Sequence, residues 1–220
     1  MKIQIIGSES AFDGLNTSFF FKDDADRGVL VDCGFTVYPE INRLGILQNV
    51  NVILISHLHS DHVGSLATTL MARKKAGHPI KVGGADISQF IKVVENRVDA
   101  YEVLPADDPL NIKTITTDHI SGIMQNQALY IADKILYSGD VKDSLLDTDY
   151  AKDAKIILHE VALNTPIAHV KLEELAKADP AIKAKTWLIH IPVQEREEIT
   201  RLATEYGFAG VCYNGQEIEI

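Results

Sequence analysis

Eight histidines occur in 220 residues, and three of them stand together in LISHLHSDHVG, at positions 57, 59 and 62 with an aspartate at 61. Imidazole and carboxylate are the side chains that hold first-row divalent ions, so this run reads either as one wall of a metal site or as a polar, His-rich loop. Residues i and i+2 of an extended segment point the same way, which lets His57 and His59 reach one ion together. Asp61 and His62 then open the next helix, with Asp61 near its N-cap, and aim at a second position close to the first. Further donors fall where apolar strands end: His119 after 111–117, Asp140 in YSGD and His190 in LIH. A lone histidine at a strand end is ordinarily a polar cap. The dense run at 57–62, with His119, Asp140 and His190 following in order, favours the metal reading.

Something must bring these positions together. Candidate strands in the first half are KIQIIG (2–7), TSFFF (17–21), GVLVD (28–32) and VNVILIS (50–56), and then PIKVGG, broken by Gly, Asn and Asp turn signals. A helical pattern runs over 62–76 with Leu66, Ala67, Leu70 and Met71 on one face, and a second over 86–96. The second half offers strands at 101–104, 111–117, 128–132, 134–139, 155–160 and 186–190, helices at 171–178 and 194–206, and a hairpin turn within 132–135. Strands in runs with helices between them suggest an α/β arrangement of two sheets covered by helices.

Hydrophobic residues make up 46% of the chain and charged ones 24%, ordinary for a globular protein, and the length suits one domain spanning 1–220. No apolar run reaches the roughly 18 residues of a membrane span, and MKIQIIGSES does not read as a secretory signal. Cys33 and Cys212 are expected to be buried free thiols in a reducing compartment, which points to the cytoplasm. A net charge of −10 argues against long nucleic acid as a partner, since that binding needs cationic surface. The one basic cluster, RKK at 73–75, reads as a solvated helix end. Bound dications would still admit a small anionic substrate.

The run H57-L-H59-S-D61-H62 resembles the H-x-H-x-D-H signature of metallo-β-lactamase-fold hydrolases, and DCG at 32–34, His119, GD at 139–140 and His190 match that family's later signposts. The resemblance implies a four-layer αββα sandwich with two divalent metal ions at one edge, zinc the expected ion and manganese or iron compatible with the same donors. His57, His59 and His119 would hold one ion, Asp61, His62 and His190 the other, and Asp140 would bridge. Asp32 would support these ligands from behind or merely end a strand.

KIILHEVALN (155–164), HVKLEELAK (169–177) and WLIHIP, together with GLNTSFFF (14–21), are similar to the RNase Z-like phosphodiesterase branch. By position, Glu160 would orient His169, and His169 would face the scissile phosphate; Asp61 would handle the proton of the attacking water. His159 is expected to be structural and His78 a loop residue. The chain departs from RNase Z at V161-A162, at V170-K171 and at Val141, and no Arg-Tyr follows His190. Only twenty residues separate His119 from Asp140, leaving no room for that branch's tRNA-gripping arm. The expectation is therefore a dinuclear hydrolase acting on a small phosphodiester such as a cyclic nucleotide. A thioester or lactone hydrolase with the same ligands and a non-catalytic ligand-binding protein are the alternatives, and the resemblance also suggests a homodimer.

Overall fold

The computed structural model describes residues 1–12, 14–85, 87, 90, 101–120, 126–164 and 168–220. Strands β1 (Lys2–Gly7), β2 (Ser18–Lys22), β3 (Gly28–Val31), β4 (Val50–Ile55), β5 (Ile80–Gly84) and β6 (Tyr101–Val103) build one sheet, which β13 (Glu217–Glu219) closes on the far side of β1. The second sheet runs β12 (Gly210–Val211), β11 (Thr186–Ile189), β10 (Ile156–Glu160), β9 (Ile135–Tyr137), β8 (Asn126–Ile131), β7 (Ile112–Thr117). Each sheet is antiparallel through its first three strands in chain order and parallel thereafter, except that β13 returns antiparallel to β1.

The two sheets face each other, and the side-chain alternation shows how. Phe19, Phe21, Val29, Val31, Val52 and Leu54 point inward and meet Leu129, Ile131, Tyr137, Ile156, Leu158 and Ile189 of the other sheet. Their neighbours Phe20, Leu30, Ile53 and Ile55 point the other way, under α1 (Val37–Arg43) and α3 (Leu66–Lys75). On the opposite side Tyr130, Leu136, Ile157 and Leu188 pack under α4 (Asp149–Asp153), α5 (Leu172–Leu175), α6 (Pro180–Lys183) and α7 (Arg196–Tyr206). A strand covered on both faces must be apolar at every position, which is why VILI and VLV read as unbroken runs. This is the expected αββα sandwich.

Several boundaries differ from the sequence expectation. The helix expected over 62–76 is two pieces, α2 (Ser60–Val63) and α3, because the chain turns at Gly64–Ser65. Asp61 therefore lies inside the first turn of α2, with His59 at the N-cap. Arg73 is buried rather than solvated, and only Lys75 of the basic cluster is fully exposed. The helix expected at 171–178 is the single turn α5, and α1, α4, β12 and β13 carried no pattern strong enough to be read. The helix over 86–96 falls almost wholly outside the described residues. Cys33 and Cys212 are buried free thiols, and no helix among the described residues is long and apolar enough to cross a membrane.

Candidate metal centre

The strand ends of both sheets deliver polar side chains to one place. β4 ends at Ile55 and the chain then supplies His57 and His59; α2 supplies Asp61 and His62. From the second sheet come His119 beyond β7, Asp140 beyond β9 and His190 beyond β11. The donors fall into two groups, His57, His59, His119 and Asp140, and Asp61, His62, Asp140 and His190, each with its ligand atoms within 4.8 Å of one another. These are the two sets the sequence paired, with Asp140 common to both.

The spacings suit ions. Tetrahedral ligands at 2.0–2.1 Å from a zinc ion lie about 3.4 Å from one another. His57 Nε2 is 3.0 Å from His59 Nδ1 and 3.8 Å from Asp140 Oδ2, and His119 Nε2 is 3.6 Å from that same oxygen. On the other side His62 Nε2 stands 3.2 Å from Asp61 Oδ2 and 3.3 Å from Asp140 Oδ1, and His190 Nε2 is 3.4 Å from Asp140 Oδ2. His62 Nε2 and Asp140 Oδ1 are buried without a hydrogen-bond partner, a costly state for polar atoms unless something coordinates them. The residues fit a pair of divalent ions.

Four of the five rings are aimed by their other nitrogen. His119 Nδ1 lies 2.7 Å from the Ala168 carbonyl and His62 Nδ1 lies 2.7 Å from Asp32 Oδ2; both oxygens can only accept, so both Nδ1 atoms carry the proton. Thr17 Oγ1 spends its hydrogen on the Glu9 carbonyl and thus accepts from His190 Nδ1 at 3.1 Å. Ser56 Oγ likewise donates to Asp32 Oδ2 at 2.9 Å and accepts from His57 Nδ1 at 3.1 Å. In all four rings Nε2 is left to face inward. Asp32 and His190 adopt left-handed backbone, φ 57° and 59°, a conformation that costs a non-glycine residue energy and concentrates at functional sites.

Charge sets the protonation states. Burial holds His190 down to about 4 and His57 well below its usual value, so both are neutral and free to donate a lone pair. Burial would lower His62 as well, but Asp140 and Asp32 outweigh it and hold this ring well above its ordinary value. An ion must displace that proton to reach Nε2, so binding releases it. Burial would raise Asp61, but His62 beside it brings the carboxylate down to about 2.

Glu160 and His169, the other two expected site residues, are also here. Glu160 ends β10 fully buried, its Oε1 accepting from the Val141 amide and its Oε2 lying 2.6 Å from His169 Nδ1. Against its burial, this carboxylate raises His169 to about 9. His169 lines a cavity of about 590 Å³ together with His59, Asp61, His119, Asp140 and His190, and the exposed Phe12 and Phe35 line it as well. His159 points elsewhere: Nδ1 donates to the Glu160 carbonyl and Nε2 accepts from Leu145 N–H, so it is structural. Sequence reasoning missed the holders Thr17, Ser56 and the Ala168 carbonyl.

Comparison with known proteins agrees with this geometry. The family described as anti-Pycsar protein Apyc1 matches residues 1–83 and 74–218. The Apyc1 of Paenibacillus xerothermodurans is 26% identical over 222 residues, 86% of this chain and 87% of that protein. The probable metallo-hydrolase YhfI of Bacillus subtilis is 25% identical over 215 residues, covering 87% of each chain; its crystal structure, titled a metallo-β-lactamase fold protein, superposes with a TM-score of 0.79 over 100% of this chain and 99% of its own. The short form of human tRNase Z shares the fold at a TM-score of 0.71 and 15% identity, over 100% and 99% of the two chains. The chain belongs to the Apyc1 family, metal-dependent hydrolases on the metallo-β-lactamase fold.

Proposed function

We propose that the protein is a phosphodiesterase acting on a small phosphodiester such as a cyclic nucleotide. In this reading His57, His59, His119 and Asp140 hold one ion, and Asp61, His62, His190 and Asp140 the other, zinc suiting this His/carboxylate set. Residues 1–220 act as one domain, since each ion takes donors from both sheets. The observation that carries the reading is the Glu160–His169 pair at 2.6 Å, whose imidazole lines the cavity beside the doubled donor set. A thioester or lactone brings no negative charge for a cation to meet there, and a thioester's thiolate leaves without an acid. A phosphodiester uses the cation twice, to meet its charge and to protonate an alkoxide leaving group.

When bound, a pair of dications activates water near neutral pH and offsets charge on non-bridging phosphate oxygens. Asp61, ionised and lining the cavity, accepts or orients the proton of the attacking water. His169 has Nδ1 engaged by Glu160, so Nε2 is its donor to the phosphate or the leaving oxygen. The cavity suits one small molecule, and no Lys or Arg is among its described lining residues, which offer no track for a polyanionic backbone. Between His119 and Asp140 the described residues are taken up by β8 and β9, with no arm to grip tRNA.

The test is a screen of cyclic nucleotides, linear dinucleotides, thioesters and lactones with wild type and His169→Ala. The variant should keep its metal and lose about 10²- to 10⁴-fold on an alkoxide-leaving phosphodiester, with a much smaller loss on bis(p-nitrophenyl) phosphate, whose leaving group needs little protonation. Turnover of thioesters or lactones alone, indifferent to His169, would refute the phosphodiesterase reading.

A further inference from the structure

Asp32 is not a ligand in either donor group, yet it is completely buried and fully engaged. Its Oδ1 accepts from Ser56 N–H at 2.8 Å. Its Oδ2 receives three donors: Ser56 Oγ at 2.9 Å, His62 Nδ1 at 2.7 Å and the Tyr137 hydroxyl at 2.7 Å. Three of these four bonds come from its own sheet's side of the sandwich. The fourth crosses to the other sheet, because Tyr137 is the last residue of β9 and pairs there with Leu129 and Leu158.

The ring of Tyr137 has a packing role of its own, edge-on to Phe19 at 5.3 Å between centroids, and a phenylalanine would serve that role. The hydroxyl is different. Unpaired, it would be a buried polar group in an apolar layer, and a core gains nothing from carrying one. Three residues beyond it the same stretch delivers Asp140, and between them Gly139 lets the chain come so close to Ser56 that an added Cβ would meet the serine Cβ at 3.0 Å. The 137–140 stretch thus reaches both sides of His62: Nδ1 lies on Asp32, to which Tyr137 donates, and Nε2 stands 3.3 Å from Asp140 Oδ1.

We propose that Tyr137 is a positioning residue for the metal centre: its hydroxyl, donated across the sandwich to Asp32 Oδ2, fixes the carboxylate that orients His62 directly and His57 through Ser56. The proposal rests on the metal-site reading above and is independent of the substrate. Asp32 has no rotational freedom left while all four donors are in place. Without the phenol it can turn towards Ser56, and the His62 ring loses its fixed direction. Partners of this kind typically contribute 10- to 100-fold to metal affinity.

The experiment is stepwise zinc titration against a chromophoric chelator for wild type, Tyr137→Phe, Asp32→Asn and the double variant, with thermal unfolding of each metal-free chain alongside. Wild type should bind two ions. Tyr137→Phe should fold, still bind two, and show one of the two stepwise affinities lowered 10- to 100-fold, the other changing less. In the Asp32→Asn background the same substitution should cost no further affinity, because the effect runs through that carboxylate. Should Asp32→Asn not fold, Ser56→Ala takes its place in the cycle and should again be non-additive with Tyr137→Phe. Both affinities unchanged in Tyr137→Phe, with only a lower unfolding temperature, would reduce Tyr137 to a packing residue and overturn the proposal, as would additive losses. A wild-type chain that bound no zinc would overturn the metal site itself, a result distinct from either.

Discussion

Asp140 is the one side chain common to both donor groups, so its loss removes a donor from each. Asp140→Ala should retain less metal by elemental analysis than any single histidine variant of the site; equal retention would contradict a bridging role. His169 answers to pH instead. Glu160 against Nδ1 raises its pKa above the ordinary histidine value, so kcat/KM for a phosphodiester should hold through neutrality and fall only on the alkaline side. Glu160→Gln removes the partner that raises the imidazole, and the alkaline limb of the pH–rate profile should shift down towards the ordinary histidine value near 6.5. A limb that stays in place would show that His169 is not the titrating acid. At this scale the sequence was legible where residue type carries chemistry: the candidate donors could be named from type and from their places at strand ends and at the head of a helix, whereas Glu160 and His169 came only from the resemblance to the RNase Z-like branch. The residues that aim the donors could not. Serine, threonine and tyrosine are common types, and what marks Tyr137 is a contact with a residue 105 positions away.

The elements follow their physics in the same uneven way. Long apolar strands were legible because both faces are covered, but that same coverage hides the alternation and so the register. The turn within 132–135 was legible from its residues, and Ala132 and Asp133 there both have positive φ, as a tight hairpin requires. One-turn helices such as α2 and α5 are too short to show a period of 3.6 residues. The join between β3 and α1 is a place where an element's position decides the site: a Cβ on Gly34 would lie 1.9 Å from the Asp61 carbonyl oxygen and 2.8 Å from Asn16 Cβ. Gly34→Ala must therefore push the backbone of a candidate ligand. It should destabilise the metal-free chain by about 1–3 kcal/mol and lower zinc occupancy as well. Gly34→Ala with wild-type zinc content and unfolding temperature would mean that the loop yields freely.

Across the whole molecule, the donors come from stretches as distant as His57 and His190, and both sheets must be docked before either set is complete. That has a consequence for the route by which the chain folds. Closing such long loops is entropically late work, so neither donor set is complete until the second sheet has docked on the first, the set with His190 waiting in addition for β11. Contacts absent from the folding transition state slow escape from the native state without hastening arrival. Refolding from denaturant should proceed at the same rate with or without zinc, while unfolding should slow in proportion to the free ion concentration and quicken when a chelator is added. Stopped-flow measurement of both arms distinguishes this from metal-templated folding, in which zinc would speed the refolding arm. In such a chain metal supply governs how long the folded molecule lasts, and leaves the speed of its making untouched.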